Sequence, residues 1–88
     1  MKLKFTITTR PGQLLVGEII TLTKEPTNAF DNEAIKVDAP SIENHAYVAA
    51  FYKLRKPGTV SAGRLLDKIP DTIGAVVVAD QIGEVEVV

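Results

Sequence analysis

The chain has 88 residues, with ten Lys and Arg against eleven Asp and Glu, a net charge of −1 and 45% hydrophobic content. That length bounds it to one domain, residues 1–88, whose modest core hides only somewhat more than ~60% of the surface an unfolded chain exposes. The charge balance excludes a protein that coats nucleic acid through a basic excess. The absence of cysteine excludes disulfides and thiolate metal sites and fits a cytoplasmic location.

No stretch approaches ~18 consecutive apolar residues, so no membrane-spanning helix is expected. Apolar and polar residues alternate after Lys2, unlike the apolar run of a signal peptide. Residues 2–9 read as a half-buried strand with Leu3, Phe5 and Ile7 inward and Lys2, Lys4, Thr6 and Thr8 outward. Arg10-Pro11-Gly12 breaks it. The loop that follows carries Leu14, Leu15 and Val16, which predict a flap over one end of the fold. Residues 18–24 form a second strand with Ile20 and Leu22 inward.

Pro26 donates no backbone N–H and ends that strand near Glu25. Asn28, Asp31 and Asn32 are turn formers that bond to nearby backbone, and Ile35 and Val37 resume a two-residue period in a third strand ending at Asp38. Phe30 in mid-turn is unexplained by the turn itself; it is either a core plug or a platform for a ligand. Pro40 marks the next loop. Residues 45–51 read as a fourth strand, in which Ala46, Ala49 and Ala50 imply close backbone approach.

Residues 53–59 form a basic loop broken at Pro57-Gly58. Ser61 is a natural N-cap for a short helix over residues 62–69, with Leu65, Leu66 and Ile69 as its apolar face and Pro70 as its stop. Residues 73–79 predict a strand buried on much of both faces. After a turn at Asp80-Gln81, Val85 and Val87 alternate with Glu84 and Glu86, which would guard an exposed edge. The sum is a mainly β protein of about six strands with one or two short helices, a small OB-like barrel.

Little here suggests catalysis. His45 is the single histidine, with no cysteine to complete a metal site. Ser61 has no base partner at a meaningful spacing, and Asp31 and Glu33 are close as turn acids commonly are. No enzyme activity and no cofactor are expected. Ser61-Ala62-Gly63-Arg64 is either an ordinary capped helix start or a phosphate site, in which Arg64 would add a bidentate donor.

One stretch carries a family resemblance. Leu22, Lys24, Glu25 and Pro26, followed without a gap by Asn28, Phe30, Asp31, Ala34, Ile35 and Val37, resemble the HIRAN domain. Tyr47-Val48 and the segment 61–69 are similar to short free-standing bacterial members. The resemblance implies an OB-like barrel that binds the 3′ end of single-stranded DNA. It implies that Phe30 stacks a base and that Asp31 meets the terminal hydroxyl, beside a purely structural role for Asp31 in tying the turn. The family's basic residue and two aromatics after the first strand fall on Thr8, Thr9 and Arg10, so Arg10 remains for a phosphate and Tyr47 is a substitute aromatic. The rival expectation is a protein-interaction module on the same barrel that has lost DNA binding.

Overall fold

The computed structural model describes residues 1–50 and 54–88. Six strands form one antiparallel sheet: β1 (Lys2–Thr6), β2 (Ile19–Lys24), β3 (Ile35–Asp38), β4 (Ala46–Tyr47), β5 (Thr72–Ala79) and β6 (Ile82–Glu86). Their order across the sheet is β1-β6-β5-β2-β3-β4. The one helix among the described residues, α1 (Ala62–Leu66), is capped by the Ser61 side chain, which accepts from the Arg64 N–H.

The sheet curls into a half-barrel because its two outer strands meet. Ile7 and Val48 form an antiparallel bridge. The Thr8 N–H donates to the Tyr47 carbonyl at 2.9 Å, and the Ala49 N–H donates to the Thr6 carbonyl at 2.9 Å. These bonds satisfy backbone groups that an open edge would leave for another chain. Ala46 and Ala49 are both buried at this seam, and their small side chains let the strands approach. The expected fourth strand is therefore short: its ladder is two residues, and beyond it the chain bonds to β1. Residues 51–53, including the end of that expected strand and the first lysine of the expected basic loop, lie outside the described residues.

The alternating residues fill the core as their period requires. Phe5, Ile7, Ile20, Leu22, Ile35, Val37, Val77 and Val85 are all buried, and Leu65 and Ile69 seat α1 on the sheet. Several expectations change. Thr6 is buried rather than facing solvent; its hydroxyl lies 3.0 Å from that of Thr59 and accepts the Lys56 N–H at 2.9 Å. A paired hydroxyl loses little on leaving water, so this site tethers residues 56–59 to β1. Only Leu14 of the expected flap is buried, while Leu15 and Val16 face solvent. Strand β5 has one buried face, not two: Ala75 and Val77 point inward and Gly74 is exposed. Strand β6 lies between β1 and β5 rather than at an edge, so Glu84 and Glu86 meet Lys2 and the N-terminal ammonium instead.

Gly83 faces Phe5 across the β1–β6 ladder. A Cβ there would lie 2.5 Å from Phe5 Cζ and 2.6 Å from Cε2, too close for a ring already fully buried. Gly83→Ala is expected to destabilise the fold by about 1–3 kcal/mol through overpacking. In urea melts, pairing it with Phe5→Leu should cost less than the sum of the two single changes.

Candidate functional site

The turn between β2 and β3 is a hydrogen-bonded cage built on Glu25, Asn28 and Tyr47. Pro26 ends β2, and the Glu25 N–H donates to the Ala34 carbonyl at 2.9 Å, closing the loop at its neck. Asn28 Oδ1 accepts the Phe30 N–H at 2.9 Å and the Asp31 N–H at 3.1 Å. Its Nδ2 donates to Glu25 Oε1 at 3.1 Å and to the Tyr47 hydroxyl at 3.5 Å. The Tyr47 hydroxyl donates to the same Glu25 oxygen at 2.8 Å. Asp31 Oδ1 accepts the Glu33 N–H at 2.9 Å, an Asx turn that leads the chain into β3. The structural role expected of Asp31 has its carboxylate take the N–H groups of residues 33 and 34. It takes only that of Glu33, and the Ala34 N–H donates instead to the Asp31 backbone carbonyl at 3.1 Å.

The cage has an electrostatic signature. Bonds from the Tyr47 hydroxyl and the Asn28 amide hold the Glu25 carboxyl below the ordinary glutamate value, against a small opposing effect of burial. The same bond to Glu25, with burial adding to it, raises the Tyr47 hydroxyl above the ordinary tyrosine value. At neutral pH the pair is therefore a carboxylate and a neutral phenol, the combination that gives a strong charge-assisted bond.

Phe30 stands outside this cage. Its relative exposure is 99%, which removes the core-plug alternative. The ring borders a groove of about 560 Å³ that Asp31, Tyr47, Val48, Ala49 and Leu54 also line. That volume lies within the roughly 300–1,000 Å³ typical of small-molecule sites, and the lining is mostly apolar with few polar groups, as such sites are. Phe30, Asp31 and Tyr47 thus share one groove. Arg10 and Arg64 do not line it. Arg10 borders an adjoining hollow of about 470 Å³ with Glu43, Asn44 and His45, and Thr8 lines both. The His45 and Tyr47 rings meet edge to face at 5.3 Å near this boundary.

Arg64 is exposed on α1. The start of that helix faces Glu33, whose carboxylate oxygens lie 3.6 Å from where a Cβ on Gly63 would be. An anion placed there meets a negative charge. Among the described residues, no cluster of His, Cys, Asp or Glu is suited to a metal ion, and no helix is long and apolar enough to cross a membrane.

The part that sequence reasoning missed is the support of the groove. Glu25 and Asn28 stand out as strand-end and turn residues, but their bonds to Tyr47 span 22 and 19 positions. Periodicity carries no information at that separation. In comparisons with protein-family models, curated proteins and solved structures, none matches the chain.

Tyr47→Phe keeps the ring and removes the bond to Glu25. The Glu25 titration, followed by carboxyl NMR, should then move up toward the ordinary glutamate value, and the fold should lose about 0.5–1.5 kcal/mol. Because Glu25 is depressed in the folded state, its contribution is complete above the unfolded value near 4.5 and is lost as pH falls through the lower folded value. Wild type should therefore lose more stability than Tyr47→Phe over that acidic window in denaturant melts.

Proposed function

We propose that the protein is a binding module of the HIRAN type that takes the 3′ end of a nucleic-acid single strand in the groove at the β2–β3 turn. The observation that carries this is the convergence of an exposed ring, Phe30, with the Asp31 carboxylate and Tyr47 on one apolar concavity. An aromatic face stacks any base, and such stacking is worth roughly 1–3 kcal/mol per base. A carboxylate accepts a hydrogen bond from a terminal hydroxyl and repels a terminal phosphate. The terminal nucleoside is itself uncharged, so an apolar groove on an acidic protein can hold it while the phosphates stay outside. Arg10 borders the adjoining hollow, which shares Thr8 with the groove, and would receive one there. The module acts by binding, without catalysis, in the cytoplasm.

A second reading follows from a specific feature. No Lys or Arg among the described residues lines the groove, and Phe30 and Leu54 expose large apolar surfaces beside it. That composition also fits an apolar side chain of a protein partner.

Fluorescence anisotropy with a short labelled strand separates the two. A free 3′-hydroxyl should bind at least about tenfold better than a 3′-phosphate, which corresponds to about 1.4 kcal/mol. Phe30→Ala should weaken binding by about 1–3 kcal/mol while leaving the denaturation midpoint unchanged. The logarithmic salt slope should be shallow, about −0.7 for each of one to three neutralised phosphates. Equal binding of both ends with a steep salt slope would mean non-specific attraction. No binding at all would favour the protein-partner reading.

A further inference from the structure

Resting on the end-binding reading, we infer that the hollow bordered by Arg10, Glu43 and Asn44 reads the penultimate base of the strand and selects guanine.

Two hollows adjoin the Phe30 groove. One, of about 540 Å³, shares Phe30 and Asp31 with it and adds Glu33. Its carboxylates repel a phosphate backbone. The other, of about 470 Å³, shares Thr8 with the groove and carries Arg10, which attracts one. A strand seated by its last nucleoside therefore leaves over Thr8, and its next nucleotide lies on the second hollow.

The two nucleotide positions differ in chemistry. The groove is mostly apolar and takes the last base by its face, which any base can offer. The hollow beside it presents polar side chains. Among the described residues, those of Arg10, Glu43 and Asn44 make no hydrogen bond or ion pair. Arg10 suits the phosphate that links the two nucleotides, which leaves Glu43 and Asn44 for the base.

Their groups match one Watson–Crick edge. Guanine presents two adjacent donors, N1–H and N2–H, beside the O6 acceptor. A carboxylate accepts both N–H groups at once, and the Asn44 amide donates to O6. Adenine and cytosine would set a ring-nitrogen acceptor against that carboxylate. Thymine has a single N–H between two carbonyls. An unpaired strand leaves this edge open to protein. The exposed His45 ring on the same hollow adds stacking, which is tolerant of base identity.

The experiment uses short DNA strands with a free 3′-hydroxyl that differ only in the penultimate base. Each competes against one labelled strand for the wild-type chain, read by anisotropy. Guanine should compete about tenfold better than adenine, near the low end of what a good bidentate contact discriminates. Adenine is the decisive comparison because both purines stack alike. Changing the last base instead should alter competition less. Glu43 is exposed and unbonded, so Glu43→Gln should leave the melt unchanged and abolish the guanine advantage. Phe30→Ala is measured alongside as a reporter of the groove. Equal competition by guanine and adenine, or an advantage that survives Glu43→Gln, overturns base reading; end binding stands if Phe30→Ala still weakens every strand. If Phe30→Ala leaves all strands unchanged, the strand is not held in the groove, and both inferences fall.

Discussion

The bond from the Tyr47 hydroxyl to Glu25 is the contact on which the site depends. Glu25 directly follows β2, Tyr47 belongs to a two-residue strand, and Asn28 lies in the loop between β2 and β3. One carboxylate oxygen joins all three. Ordering a loop costs roughly 1–2 kcal/mol of backbone entropy per residue, and this turn places little of its own surface in the core. Its order comes from polar bonds. Because Asn28 then holds the Phe30 and Asp31 N–H groups, the backbone that carries the exposed ring and its neighbouring carboxylate is set by bonds among side chains.

The cage is only as firm as β4, and β4 has few ladder bonds of its own. Its far side is secured by β1, through the Thr8 and Ala49 backbone bonds and the Ile7–Val48 bridge. Behind that seam, the paired hydroxyls of Thr6 and Thr59, with the Lys56 N–H, hold residues 56–59 against the same strand. Closure of the half-barrel and formation of the groove are therefore one event. Ala49, one of the small residues that permit close strand approach, also lines the groove.

What local pattern determines was legible in the sequence, and what depends on strand order was not. A two-residue period placed Phe5, Ile20, Leu22, Ile35, Val37 and Val85 in the core because each strand has one wet face. The same logic put Thr6 outside, since a hydroxyl is polar; its partner lies 53 positions away. Glu84 and Glu86 looked like guards of a sheet edge, but the chain's first strand pairs with its last and makes β6 interior. Phe30 shows the limit most directly. An aromatic in a turn has the same local sequence whether it is a plug or a platform, and only the placement of β4 and its Tyr47 decides. The convergence of Phe30, Asp31 and Tyr47 was anticipated in kind, whereas Arg10 borders a different hollow from the loop after β1 and Arg64 is exposed on α1.

A phenylalanine left fully exposed has an energetic meaning. Burying such a side chain contributes about 1.5–3 kcal/mol, and here the fold leaves that contribution unused. It remains available to whatever covers the ring. Most exposed hydrophobic side chains are free to move, so a partner must also restrain them, at about 0.5–1.5 kcal/mol for a rotamer-rich side chain and more for a loop. Phe30 differs because its backbone is already fixed by Asn28, leaving two side-chain torsions to settle. The apolar groove beside it supplies a second surface at a defined angle. A ligand with a flat face and a short apolar body can therefore use both surfaces without reorganising the turn, so that the ordering cost has been met in folding and the affinity reflects contact.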